Sequence, residues 1–218
     1  MTNLSEIQAT LSKLYDGVNG YDISHADRSG AHKQDKAFTY GEMLFEPFAR
    51  IMAAVKPAPG DVFYDLGSGT GKVLIMADQL YEFASVTGIE FLPTLHATAT
   101  DILHRYCHEF RSERKECRGP VVSKHGDMLV EDLSNADIIF VHATCMPAEL
   151  IDSLGEKVRK CKPTARFILV SRGFFGSPWF NCVEQIEYTN AWKTQSICYI
   201  YQLKPQAAVA ARAEAVLV

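Results

Sequence analysis

Long apolar runs are missing from this chain: no stretch approaches the roughly 18 consecutive apolar residues of a membrane span. The segment Met1 to Tyr15 is amphipathic, with no basic stretch leading into an apolar one. A soluble, unexported protein is therefore expected, intracellular and cytoplasmic. An excess of basic charge is missing too. Lys and Arg number 22 against 26 Asp and Glu, a formal net charge of −4, so no polybasic field exists to hold nucleic acid unspecifically. Cys-x-x-Cys pairs are absent, and the six cysteines (Cys107, Cys117, Cys145, Cys161, Cys182, Cys198) lie scattered. That spacing fits neither a zinc site nor a disulfide scaffold; they read as reduced thiols, and no metal is expected. With 14 glycines and 9 prolines the chain is neither collagen-like nor of low complexity. What is present is an ordinary globular balance, 47% hydrophobic and 22% charged over 218 residues, enough for one well-buried core.

Leu4, Ile7, Leu11, Leu14 and Val18 fall on one helical stripe, with Asn3 and Glu6 in the positions of a capping pair. From Asp16 to Thr39 the residues turn polar and small without periodicity, which predicts a loop, either a lid or a segment of no fixed structure. Leu44, Phe48, Ile51, Met52 and Val55 mark a second helix, which tolerates Pro47 in its first turn and stops before Lys56-Pro57-Ala58-Pro59-Gly60. Beyond Gly60, short apolar strands alternate with helices. The strands are Val62–Leu66, Ser85–Glu90, Val121–Lys124, Ile138–Val141 and Arg166–Val170, and the helices lie around Lys72–Glu82, Leu95–Phe110 and Ala148–Arg159. This reads as five βα units of a parallel sheet covered on both faces. Val183–Tyr188 and Ser196–Leu203 follow one another without a helix and are expected as an antiparallel hairpin at the sheet edge. The fold class is α/β, Rossmann-like, a mostly parallel seven-stranded sheet ending in that hairpin. Arg111 to Arg118, of mixed charge, and the Ala-rich Gln206 to Val218 read as solvated surface. Three segments follow: an N-terminal helix and loop (1–39), the main domain (40–205) and a tail (206–218).

Phe63-Tyr64-Asp65-Leu66-Gly67-Ser68-Gly69-Thr70-Gly71-Lys72 runs from strand to helix through three alternating glycines, so that backbone can approach a ligand closely. A dinucleotide fingerprint would place its third glycine where Lys72 stands. Asp65 at the strand tip would repel a pyrophosphate and attract a cation. S-adenosylmethionine carries an ammonium and a sulfonium and no phosphate, and is the cofactor these residues suit. Glu90 closes the next strand at the distance along the chain where an acid accepts hydrogen bonds from ribose hydroxyls. Gly126-Asp127-Met128 follows the third strand, where Asp127 would hold the adenine amine and Met128 or Phe91 would pack on the ring; the alternative is an ordinary turn.

This layout resembles the class I methyltransferases, and within them the disruptor-of-telomeric-silencing (Dot one) branch of histone-lysine methyltransferases. The resemblance rests on Tyr40-Gly41-Glu42 before the helix at Leu44, on the glycine loop, on Gly126-Asp127-Met128 and on Ile138-Ile139-Phe140-Val141. Trp192 followed seven residues later by Tyr199 matches two aromatics that line the lysine channel of that branch. It spans about Tyr40 to Leu203 and implies protein-lysine methylation, with histone as a candidate partner and a nuclear location if histone is the target. By the same resemblance Tyr40, Glu42, Asp65, Gly67, Ser68, Gly69, Gly71, Glu90, Phe91, Asp127, Met128 and His142 surround the cofactor. His142, Trp192 and Tyr199 stand at the reaction, with Thr144, Met146 and Phe174 toward the acceptor. The sequence departs from the branch at His142-Ala143-Thr144-Cys145-Met146, where the family has two asparagines and then two phenylalanines flanking an alanine.

Read from the residues alone, some roles stay open. Trp192 and Tyr199 line a channel or belong to the core of an edge hairpin; His142 takes a proton, holds the cofactor or is structural; Phe174, Phe175, Trp179 and Phe180 wall an entrance or cap the core. Three functions are carried forward: a protein-lysine methyltransferase, a small-molecule methyltransferase and a cofactor-binding module without catalysis.

Overall fold

The computed structural model describes residues 4–28, 39–111, 118–189 and 194–205. Helices α1 (Leu4–Leu14), α2 (Gly20–Arg28) and α3 (Phe45–Val55) precede a seven-stranded sheet. The sheet is built from β1 (Val62–Leu66), β2 (Ser85–Glu90), β3 (Val121–His125), β4 (Ile138–Val141), β5 (Arg166–Val170), β6 (Phe180–Thr189) and β7 (Gln195–Leu203). Helices α4 (Lys72–Leu80), α5 (Pro93–Tyr106) and α6 (Ala148–Val158) cross between strands. The spatial order is β3-β2-β1-β4-β5-β7-β6, with β1 to β5 parallel and β7 antiparallel to both of its neighbours. The alternating α/β pattern thus yields the expected sheet and its terminal hairpin.

Strand alternation divides the core. Phe63, Val86, Ile138, Phe140, Ile168 and Val170 face α1, α3, α4 and α5, while Leu66, Ile89, Ile139, Val141, Phe167 and Leu169 face α6 and the aromatics that follow β5. Helix α3 forms because its apolar residues recur on one side: Phe45, Phe48, Ile51, Met52 and Val55 are all buried, each contributing about 1.5–3 kcal/mol. It ends at Lys56, which adopts φ 54° and returns its N–H to the Met52 carbonyl.

Three expectations are corrected. The segment expected as a loop from Asp16 to Thr39 contains α2, which is capped by Asn19: its Oδ1 accepts the N–H of Tyr21 at 3.1 Å. No helix separates β3 from β4; turns held by Asp127 and Asp132 make the connection, so the five-fold βα repeat is broken there. Arg111 and Arg118 are not solvated charges. Both reach the buried Asp78 of α4, Arg111 through Nε at 2.9 Å and Nη2 at 3.1 Å, and Tyr106 donates to the same carboxylate at 2.7 Å. Asn3, the 112–117 stretch and the tail from Gln206 lie outside the described residues. Among the described residues no helix is long and apolar enough to cross a membrane.

Candidate active site

Strand order reverses between β1 and β4, and in an open parallel sheet the carboxyl ends beside such a reversal are where ligands sit. A cavity of about 340 Å³ opens there. It is lined by Tyr40, Gly67, Gly69, Glu90, Phe91, Asp127, Met128, His142 and Met146, with Leu92, Leu95, Leu129, Pro147 and Leu150 supplying apolar wall. A smaller recess shares Tyr40, Gly67, Gly69 and His142 with it and adds Glu42, Asp65, Ser68 and Lys72.

The glycine loop is what brings backbone to this space. Gly67 and Gly69 adopt φ 79° and 55°, a region costly for any residue with a Cβ. At Gly69 an added methyl would stand 2.6 Å from Cε2 of Tyr40, so the Tyr40 ring packs against bare backbone. The Tyr40 hydroxyl donates to Glu42 at 2.9 Å and lies 3.0 Å from the Thr70 hydroxyl, while Glu42 pairs with Lys72 at 2.8 Å. From α1, Tyr15 donates to the Thr70 carbonyl at 2.9 Å, with the Lys72 ammonium 4.7 Å from its ring centroid. The accessory helix therefore anchors the loop.

Two acids dominate the electrostatics. Asp65 is 2% exposed, and among the described residues neither a hydrogen bond nor an ion pair reaches its carboxylate. Burial first, and the charge of Glu90 second, hold its pKa well above the usual carboxylate range. Glu90 accepts the N–H of Gly69 at 2.7 Å on one oxygen and that of Leu92 at 2.8 Å on the other. Its pKa is nonetheless raised, because burial outweighs those donors. The Phe91 backbone also bonds this carboxylate, so of its roughly four lone-pair sites one remains for a hydroxyl donor. Asp127 spends one oxygen on the Leu129 N–H at 2.8 Å, an Asx turn that leaves the other for an amine. Burial lowers the pKa of His142 to about 4, so its imidazole is neutral at physiological pH.

Not every residue assigned from sequence is placed in the cavity. Gly71 lines neither space; it caps α4 and packs on Ala99, 3.3 Å from where its Cβ would be. Ser68 contributes backbone only, since its Oγ is buried toward Gly88 without a hydrogen-bond partner among the described residues. Phe174, at 5% exposure, belongs to the core: it stacks on Phe180 with centroids 4.3 Å apart. The ring presented outward is its neighbour Phe175, 65% exposed and edge-on to Tyr199 at 5.0 Å. Thr144 donates to Ser171 at 3.0 Å, and Ser171 itself adopts φ 67° at the end of β5. Trp192 lies outside the described residues. Sequence reasoning missed Lys72, whose partner Glu42 lay 30 positions away, and the apolar floor at Leu92 and Leu95, hidden in a helix read only for its core face.

The residues fit a nucleoside carrying a positive charge: a buried acid that no cation among the described residues reaches, a second acid with lone-pair capacity left, and a bare-backbone cradle. Fold and site define a class I, S-adenosylmethionine-dependent methyltransferase. The chain belongs to the family described as histone methylation protein DOT1, whose model matches residues 23–203. Solved structures share the fold at low identity. Magnesium protoporphyrin IX methyltransferase (ChlM) from Synechocystis PCC 6803, with bound S-adenosylmethionine, is 11% identical with TM-score 0.57, covering 86% of this chain and 98% of that one. The tRNA methyltransferase TrmK of B. subtilis is 12% identical with TM-score 0.55, covering 78% and 69%. Geranyl diphosphate C-methyltransferase from Streptomyces coelicolor is 13% identical with TM-score 0.52, covering 71% and 77%.

Proposed function

We propose that this methyltransferase acts on the ε-amino group of a lysine in a protein, a histone being the first candidate by family. S-adenosylmethionine supplies the electrophilic methyl group on its sulfonium. In this reading Asp65 holds the ammonium of the cofactor, Glu90 the ribose hydroxyls, and Asp127 with Met128 the adenine.

The protein's part is to position and desolvate. A lysine must lose its proton before its nitrogen can attack, which from a pKa near 10.4 costs roughly 4–5 kcal/mol at pH 7 in water. Removing water around the side chain disfavours the ammonium and lowers that cost. What supports the reading is the family, together with a neutral His142 in the cavity lining. After β4 and β5 come the Thr144–Ser171 hydroxyl pair and Phe175, edge-on to Tyr199 of β7, which we assign to the acceptor. His142, with its pKa held to about 4, is too weak a base to keep a lysine proton; it accepts a hydrogen bond, and the proton leaves through solvent.

Thr144 also supports a second reading, a small-molecule acceptor, because a hydroxyl stands where the resemblance calls for an aromatic ring. One experiment separates the two. The protein and isotopically labelled S-adenosylmethionine are incubated with histones, nucleosomes, whole-cell extract and the low-mass fraction of that extract, and products are read by mass spectrometry. Label on lysine supports the proposal; label confined to low-mass products overturns it in favour of the second reading.

A further inference from the structure

Helix α5 begins without a cap of its own. Its N-cap residue is Leu92, which has no side-chain acceptor, and Pro93 follows. The missing acceptor comes from α2: Asp27 Oδ2 takes the Thr94 N–H at 3.0 Å, and Oδ1 takes the Thr94 hydroxyl. The end of α5 that receives Asp27 is the end whose Leu92 N–H is held by Glu90, and the charge of Asp27 is felt at Glu90. Two carboxylates thus converge on one helix N-terminus, where the backbone dipole favours them.

Helix α2 also backs Thr39 and Tyr40 of the cavity lining. Gly20 lies so close to Tyr40 that an added methyl would stand 2.3 Å from Cζ, and Tyr21 meets the Tyr40 ring edge-on at 5.1 Å. Arg28 donates to the Thr39 hydroxyl at 3.3 Å. Thr39 and Tyr40 line the cavity. Yet α2 buries little to hold itself in place: Gly20 and Ser24 are its only buried residues. An element without an apolar face stays where its polar tethers hold it.

We propose that Asp27 is a positioning residue for the cofactor: by capping α5 it fixes α2, and through α2 it fixes Thr39 and Tyr40 against the glycine loop. This rests on the cofactor reading of the cavity. Loss of a cap worth about 1 kcal/mol corresponds to roughly a fivefold change in an equilibrium constant. The expected result for Asp27→Ala is a Kd and KM for S-adenosylmethionine raised about fivefold, with kcat unchanged. Asp27→Asn, which caps as well as Asp, restores wild-type affinity.

Calorimetric titration of the full chain with S-adenosylmethionine, alongside Glu90→Ala, makes the outcomes distinct. If the wild type binds and Glu90→Ala does not, the cofactor reading stands. An Asp27→Ala protein that then binds with unchanged Kd, even with a lowered Tm, overturns the positioning role alone. If the wild type fails to bind, or Glu90→Ala binds as well as wild type, the cofactor reading itself falls and takes this inference with it. A measurement that needs no variant runs in parallel. Saturating cofactor slows hydrogen exchange of the α2 amides, 20–28; exchange there that ignores the cofactor overturns the proposal.

Discussion

Asp65 and Glu90 face the same side of the sheet from adjacent strands, 2% and 6% exposed, and the charge of Glu90 helps keep Asp65 protonated. As pH rises, an unfolded aspartate loses its proton before the folded one does, so stability falls between the ordinary pKa of 3.8 and the raised folded value. The Asp65→Asn protein should therefore have a higher Tm than wild type near neutral pH in the absence of cofactor. Its affinity for S-adenosylmethionine should fall roughly 10- to 100-fold, the range of a lost charge-assisted hydrogen bond. Differential scanning calorimetry and titration calorimetry read the two effects, which have opposite signs.

Gly69→Ala should be more damaging than its size implies. The new Cβ meets a φ of 55° and the Tyr40 ring together, so about 1–3 kcal/mol of stability is lost and cofactor binding with it. Thermal unfolding and titration with the cofactor check both.

His142 titrates in the folded protein near pH 4 against 6.5 for a free histidine. Between those values the unfolded chain binds a proton that the folded one refuses, so acidification through this window removes on the order of 2–3 kcal/mol of stability. Above pH 6.5 the residue contributes no inflection to the rate. Urea unfolding from pH 4 to 8, with His142→Gln as the reference lacking this slope, tests it.

Adjacent phenylalanines should behave oppositely. Phe174→Ala opens a hole beside Phe167, Phe180 and Tyr201 and costs about 3–5 kcal/mol, leaving cofactor affinity intact in the protein that folds. Phe175→Ala, at an exposed ring, leaves stability within about 0.5 kcal/mol and lowers kcat/KM for the acceptor. Denaturant titration and steady-state kinetics on the two variants decide the matter.

Asp78→Ala should be among the most destabilising changes, about 3–5 kcal/mol, because Arg111, Arg118 and Tyr106 all lose their buried partner at once. Chemical denaturation measures it, and Asp78→Asn should recover only part of the loss.

Where periodicity reports burial, sequence and structure agree. Strands such as Ile138–Val141, apolar on both faces, could only be interior, and α3 carried an unambiguous stripe. The glycine loop and its two acids were legible because their chemistry is local: each residue type suits a ligand at a strand end. What escaped depends on partners far along the chain. Helix α2 has no stripe, and its marker was the short pair Asn19 and Asp22, linked side chain to side chain at 2.7 Å. Arg111 and Arg118 looked solvated because their common target lies on another helix. Phe174 and Phe175 cannot be told apart by composition; only the packing of Phe174 on Phe167, Phe180 and Tyr201 separates the buried ring from the exposed one.

The interleaving of the last strands bears on how the molecule is made. Because β7 sits between β5 and β6, β6 has no neighbour to pair with until residues 195–203 have been synthesised. Until then β5 presents a bare edge of Phe167, Ile168 and Leu169. Ribosome-bound intermediates halted before Gln195 would carry an open, apolar strand edge of the kind that chaperones bind and that aggregates grow from.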